Sequence, residues 1–350
     1  MDSRTPPDPE KLDAIARAAA ERAAAALADV EFTTFKCGSA VPRALQGLPR
    51  QDQEAFRDAV RPLLQARLEA LWPGRRVEAL VPEVSVDALP DALGAKVVVT
   101  PLLVAGRYRK LERGISQTIF HCRVCRGRGR DCAKCGGTGR LFAESVEEFV
   151  RPAIQRAANG RRSAFHGSGR EDTDVRMLGT GRPFVVSVEK ARRRSVDPAW
   201  VAAEVERASR GRVLVSDLSV VTRARARQLT TDHGRKTYRA VVEPAGPADL
   251  PSDAPERLRA LAGAELAQRT PQRVDGRRAD LVRSRRVLGF AVEESGPRRL
   301  VASVQTEPGT YVKEMISGDD GRTVPSVAAL LGVPCVCAEL DVLAVDDATS

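Results

Sequence analysis

Apolar residues recur at helical spacing early in the chain and give way to short strand-like runs further on. Phe56, Val60, Leu63, Leu64, Leu68 and Leu71 fall on one face of a helix predicted over Gln51–Leu71, which Trp72-Pro73-Gly74 stops. Before it, an alanine-rich helix is expected to run to about Ala28, with Asp8 as N-cap, Pro9 in the first turn and Glu10 beside the helix dipole. The run Lys96–Val104 reads as one buried strand and completes a small α/β domain over residues 1–105. Further on, Ser145 and Glu148 form a capping box that opens a helix ending at Asn159-Gly160. Asp197-Pro198 opens another, closed by Gly211. Strands are predicted at Pro183–Val188, Arg212–Val221, Thr237–Glu243, Arg286–Glu293, Leu300–Gln305 and Val336–Val345. Between them, a polar linker at Pro244–Pro255 leads into a helix reaching about Gln268. Strands that follow one another in sequence, with helices interspersed, predict an α+β fold built on a mixed or antiparallel sheet.

Composition changes this picture in one respect. The chain has 350 residues, a net charge of +10, and only eight lysines among its 56 cationic side chains. Arginine's planar fork suits phosphates and base edges, so a polyanionic partner is favoured, although a GC-rich coding sequence would also raise arginine and alanine. The segment Gly106–Gly114 (GRYRKLERG), with Tyr108 among cations, reads either as a solvated loop or, with a nucleic-acid partner, as a stretch that touches its backbone. No apolar run approaches the roughly 20 residues that span a bilayer, and the opening MDSRTPPDPEK lacks a signal-peptide pattern. A cytoplasmic protein with no membrane partner is expected.

Four of the seven cysteines lie in the pattern C-x2-C-x6-C-x2-C: Cys122, Cys125, Cys132 and Cys135. Each C-x2-C turn presents two thiolates to one ion, and two turns close a tetrahedral zinc site with no position for water. One structural zinc is therefore expected, in a segment over residues 106–142 studded by Arg123, Arg126, Arg128, Arg130, Lys134 and Arg140. The Gly-x-Gly after each turn also resembles the repeats of the DnaJ-type chaperone zinc domain. Only two repeats are present and no J-domain signature accompanies them, so the likeness is local.

The stretch Gly169–Phe184 (GREDTDVRMLGTGRPF) concentrates Glu171, Asp172 and Asp174 among Arg170, Arg176 and Arg182, with glycines on both sides. A core strand does not tolerate so many unpaired charges, and a solvated run does not need the glycines. It reads as a loop holding a carboxylate beside cations at a substrate, with all three acids as candidates. Two later stretches can supply partners: Lys236–Ala240 (KTYRA), with Tyr238, and Gly309–Glu314 (GTYVKE), with Tyr311 and Lys313.

Taken with Gly106–Thr118, Gln268–Arg283 and Gly309–Leu331, this stretch resembles the archaeal-type tRNA pseudouridine synthases of the tenth Pus class, which act on uridines 54 and 55 of tRNA. The likeness runs from about residue 96 to the end and keeps the family's order of motifs. It implies the pseudouridine synthase fold, a mixed α/β sheet around a cleft, as catalytic domain over residues 143–350. It also implies an N-terminal accessory part with a THUMP-like RNA-binding domain and a zinc knuckle. By the same resemblance the catalytic carboxylate is Asp172, the base-stacking residue Tyr238 and the basic partner of the aspartate Lys313. Tyr311, Val312 and Leu340 then line the substrate pocket, Arg170 and Arg176 grip the flipped nucleotide's backbone, and Glu171 and Asp174 tie the loop to neighbouring arginines. Asp172 would act by attack on the sugar or by proton abstraction. No catalytic cofactor is implied, tRNA is the partner, and a monomer is expected. The first hundred residues carry little of the likeness, and Cys37 has no C-x2-C partner, so a reduced accessory domain is expected. The competing reading is a zinc-containing RNA-binding protein without catalytic activity; the presence of Asp172, Tyr238 and Lys313 favours the enzyme.

Overall fold

The computed structural model describes residues 8–232, 234–274 and 279–346. The chain divides into two compact units. One takes the chain up to Leu102 together with Ile154–Ala164 and Ser187–Val196; the other takes Leu103–Ala153, Phe165–Val186 and the chain from Asp197 onward. No helix among the described residues is long and apolar enough to cross a membrane.

The first unit is built from helices α1 (Pro9–Ala26) and α2 (Arg50–Leu71) and strands β1 (Thr34–Ser39), β2 (Arg76–Val77), β3 (Val84–Leu89) and β4 (Gly94–Val99). The strands lie in the order β2-β1-β3-β4. β1 runs parallel to β2 and β3, while β4 returns antiparallel to β3. Asp8 caps α1 by accepting from the Glu10 amide at 3.0 Å. That helix buries a stripe of Ala16, Ala19, Ala20 and Ala23, whose small side chains let it pack closely; α2 adds Phe56, Val60, Leu64 and Leu68. Trp72, at the end of α2, meets Phe32 and Phe35 edge-on at 4.9 and 5.2 Å between ring centres. The short strands β1 and β3 have no counterpart among the sequence-based expectations.

A mixed sheet of ten strands among the described residues lies mostly in the second unit. Its strands are β5 (Leu102–Lys110), β6 (Arg162–Gly167), β7 (Arg176–Glu189), β8 (Val213–Val220), β9 (Lys236–Pro244), β10 (Glu265–Arg269), β11 (Val282–Ser295), β12 (Leu300–Thr306), β13 (Thr323–Val324) and β14 (Cys335–Val345). The ends of β5, β6 and β7 fall in segments assigned to the first unit. The path is β13-β10-β11-β12-β9-β14-β7-β5-β8, with β6 beside β7. Helices α3 (Val146–Ala157), α4 (Pro198–Ser209), α5 (Arg223–Thr231), α6 (Ala254–Leu258), α7 (Val312–Ser317) and α8 (Val327–Leu331) fill the connections. Caps appear where the sequence places them. The Ser145 hydroxyl donates to Glu148 at 2.8 Å, and Asp197 accepts from the Ala199 and Trp200 amides.

Three expectations are corrected. The run Lys96–Val104 is two strands in different sheets, because Pro101 interrupts the ladder between β4 and β5. The helix expected to reach Gln268 ends early. After α6 the chain turns at Gly263 and continues as β10, whose Leu266 and Gln268 point inward in strand alternation. The basic stretch Gly106–Gly114 is no free loop. Its first half is β5, and Tyr108 and Lys110 are fully buried.

Candidate active site at the centre of the mixed sheet

The charged stretch Gly169–Phe184 divides into a loop and the first half of β7. Its anchor is Glu171, buried beneath the loop. The Glu171 carboxylate accepts from the Tyr108 hydroxyl at 2.8 and 2.9 Å and from Arg182 Nε at 2.7 Å. Lys110 Nζ stands 3.9 Å away and donates to three backbone carbonyls, those of Ile115 (2.7 Å), Asp172 (3.2 Å) and Thr173 (3.2 Å). Arg182 also donates to the Ser168 carbonyl at 2.9 Å. A buried arginine and a buried lysine thus clamp the turn on which Asp172 sits, and Glu171 balances their charge. Burial pushes the Lys110 ammonium below its usual range.

Where β7 passes β14 the backbones come unusually close. Gly179 has a φ of 51°, and a Cβ there would lie 1.8 Å from the Leu343 carbonyl oxygen, so only glycine fits. Beside it Arg176 makes a paired contact with Asp341, Nε to Oδ1 at 2.9 Å and Nη2 to Oδ2 at 2.6 Å. Arg113 donates to the same Asp341 at 2.8 Å and to the backbone carbonyls of Asp174 and Leu340, each at 2.8 Å. Burial works against charge on Asp341, but the two guanidiniums outweigh it and hold its carboxyl below the usual range.

Above this base lies a cavity of about 310 Å³. Arg170, Asp172, Tyr238, Tyr311, Val312, Lys313 and Leu340, which the sequence scatters over four stretches, all line it. Arg176 is the exception: its side chain is turned to Asp341. Tyr238, in β9, sits opposite Val342 of β14 and Val304 of β12, and burial pushes its phenol up to about 12. Leu340 and Val312 are buried apolar walls. Tyr311 opens α7, and the buried Gln268 grips both its amide and its carbonyl at 2.9 Å. Arg170 lies over the Phe120 ring, 5.1 Å from its centre.

The Asp172 carboxylate faces two cations. Arg273 Nη1 is 2.9 Å from Oδ2, and Lys313 Nζ is 3.7 Å from it. Lys313 makes its shorter contacts with Asp174, at 2.6 and 2.8 Å. Asp174 is thereby tied to a lysine where arginines were expected. Burial opposes its charge, but Lys313 prevails and lowers its carboxyl. Arg273 carries no sequence signal of its own. It lies on a short 3-10 turn, Gln272–Val274, within a stretch that stands out in the sequence only by its family likeness, and is aimed by an ion pair with the buried Glu314 at 2.5 Å. Residues 275–278 of that stretch lie outside the described residues.

Apart from the cavity, the four cysteines of the C-x2-C pairs place their sulfurs within 4.8 Å of one another. Two of the separations are 3.9 Å (Cys122–Cys132) and 3.8 Å (Cys125–Cys135). Tetrahedral thiolates at a metal–sulfur distance of about 2.3 Å stand roughly 3.8 Å apart, so the set fits a four-coordinate ion. The Gly129 and Gly139 amides donate to Cys125 and Cys135 sulfur at 3.4 and 3.2 Å, as befits thiolates.

Comparison with known proteins places this architecture. The family profile described as Pus10, C-terminal, matches residues 103–346. The tRNA pseudouridine synthase Pus10 of Halorubrum lacusprofundi is 41% identical over 343 residues, which cover 93% of this chain and 79% of that protein. The same-named protein of Methanothrix thermoacetophila is 43% identical over 280 residues, covering 79% of this chain and 60% of that protein. The one from Methanopyrus kandleri is 38% identical over 360 residues, covering 97% and 81%. A solved Cbf5-Nop10-Gar1 complex overlaps with a TM-score of 0.35 at 17% identity, over 68% of this chain and 58% of that one, too slight a likeness to build on. On the profile match and these identities, the chain belongs to the Pus10 family of tRNA pseudouridine synthases.

Proposed function

We propose that the cavity receives a uridine flipped out of the T loop of tRNA, at position 54, 55 or both, and isomerises it to pseudouridine with Asp172 as the acting carboxylate. The observation that supports this most is convergence: Asp172, Tyr238, Tyr311, Lys313 and Leu340, remote in sequence, share one cavity. A pocket of about 310 Å³ suits a nucleoside-sized group. Tyr238 offers a ring face for the base, and its phenol keeps its proton across the working pH range. Val312 and Leu340 exclude water around it. Arg273 and Lys313 fix Asp172 toward the sugar.

The chemistry then balances without a cofactor. The C1′–N1 bond breaks, the base turns, C5 joins C1′, the C5 proton departs and N1 gains one. Asp172 attacks C1′ or removes a sugar proton; both routes need its carboxylate at the anomeric side of the pocket. Arg170 at the rim and the cations of the cysteine knuckle contact the phosphate backbone, and the first unit serves as a THUMP-like accessory domain on the same tRNA. The protein acts as a monomer in the cytoplasm.

The knuckle holds zinc through Cys122, Cys125, Cys132 and Cys135 and shapes a tRNA-binding surface, taking no part in the reaction. Protein purified under reducing conditions should contain one equivalent of zinc by elemental analysis, and Cys132→Ser should lose it and weaken tRNA binding. A metal-free wild-type protein that binds tRNA normally would refute the knuckle. For the function as a whole, tRNA from cells lacking this gene should carry uridine where wild-type tRNA carries pseudouridine at 54 or 55, read as loss of the alkali-stable carbodiimide adduct. An unchanged map would leave an RNA-binding protein without catalysis.

A further inference from the structure

Lys236 opens β9 two residues before Tyr238, so the strand's pleat sends both side chains to one face. Both line the cavity that holds Asp172. Lys236 differs from Arg182, Arg273 and Lys313, which line the same cavity and pair with carboxylates. Asp172 and Glu314 pair with Arg273, and Asp174 pairs with Lys313. Among the described residues, the charged groups acting on the Lys236 ammonium are Arg182, from β7, and Glu171, from the loop. Arg182 repels it, and Glu171 is already taken up by Arg182 and Tyr108. Its cross-strand neighbours, Thr306 on β12 and Val345 on β14, are uncharged. Burial and the nearby guanidinium bring its ammonium down to about 8. An enclosed cation next to another cation, with no anion of its own, is costly unless a ligand supplies the negative charge.

The base proposed to stack on Tyr238 is such a ligand, because breaking a glycosidic bond leaves the electron pair on the base. We propose that Lys236 is a catalytic residue of this site, donating a hydrogen bond to a uracil carbonyl oxygen and carrying the negative charge that the base acquires as C1′–N1 breaks. The assignment rests on the uridine-isomerase reading above. The electron pair of the broken bond spreads over N1 and the two carbonyl oxygens. When C5 bonds to C1′ that pair is consumed, the C5 proton is lost and N1 is protonated. Lys236 keeps its proton throughout and acts by charge alone, as donors facing a developing oxyanion do.

The test is single-turnover pseudouridine formation on an unmodified tRNA transcript, measured against pH for wild type, Lys236→Met and Lys236→Arg, with tRNA affinity measured in parallel. Methionine keeps the apolar stem and removes the charge. Lys236→Met should slow the reaction by about 10²-fold, the typical loss for one such donor, while its tRNA affinity stays within about threefold. Wild type should lose rate as pH rises through about 8, where the ammonium deprotonates. That limb should disappear from the residual activity of Lys236→Met and move to higher pH in any activity kept by Lys236→Arg, whose guanidinium stays charged. The proposal is overturned if Lys236→Met turns over within threefold of wild type, if its rate loss is matched by lost affinity, or if it keeps the wild-type alkaline limb. Inactive wild-type protein that binds tRNA would contradict the isomerase reading itself.

Discussion

Replacing Asp172 by Asn should abolish pseudouridine formation, lowering single-turnover rates by at least about 10³-fold, while tRNA affinity changes only a few-fold. The amide keeps the side chain's shape but can neither attack the sugar nor take a proton from it. Asp172 is one-third exposed and faces Arg273 and Lys313, so its loss removes an ion pair at a cavity rim and leaves the buried base of the loop intact. On the proposed reading, affinity rests mainly on phosphate contacts by exposed cations elsewhere, which this change does not touch. Rate and affinity should therefore separate. Substantial turnover by Asp172→Asn would sink the assignment. The same substitution at Asp174, whose partner is Lys313, should be milder, because it only releases a cation that can turn to Asp172.

The second large effect is on stability and comes from the neighbouring residue. Glu171→Gln should destabilise the second unit by about 3–5 kcal/mol, the cost of leaving a buried charge without its counter-ion. The side chains of Glu171 and Arg182 are 1% and 2% exposed, and that of Lys110 is 0% exposed. Two cations would then share a site from which the compensating anion has gone. Removing an exposed acid such as Glu54, whose pair with Arg50 on the surface of α2 is screened by solvent, should cost far less. Thermal or urea unfolding of the two variants separates these magnitudes; a Glu171→Gln protein as stable as Glu54→Gln would show that Glu171 does not hold the loop. Because Lys110 grips the Asp172 carbonyl, activity should fall along with stability.

The contrast between adjacent Glu171 and Asp172 shows what the sequence carries and what it does not. The chain marks the acidic loop by its glycines and charges, but not which acid faces down. That depends on Tyr108 and Lys110, which look like members of an exposed basic stretch until β5 is seen to run through the sheet. The cysteine pairs are legible because all four ligands lie within fourteen residues, Cys122 to Cys135, and the spacing itself sets the geometry. Helix starts are legible for the same reason, since a cap is a contact between residues two or three apart. Strand order is not: nothing local tells β14 to lie parallel to β7, where Gly179 meets Leu343. Arg273 is the clearest case of a missed residue. It reaches Asp172 from an irregular turn, steered by Glu314 on another element, and neither periodicity nor charge pattern marks it. Glu265–Arg269 falls within the helix expected to reach Gln268, but Gly263 turns the chain before it, and inward Leu266 and Gln268 alternate as in a strand.

The most direct test of the central claim is nucleoside analysis of a single tRNA transcript after incubation with the purified protein and no added cofactor. The account predicts that pseudouridine appears at the T-loop position with equal loss of uridine and no change in the transcript's mass. Stoichiometric tRNA binding with the uridine content unchanged would contradict it.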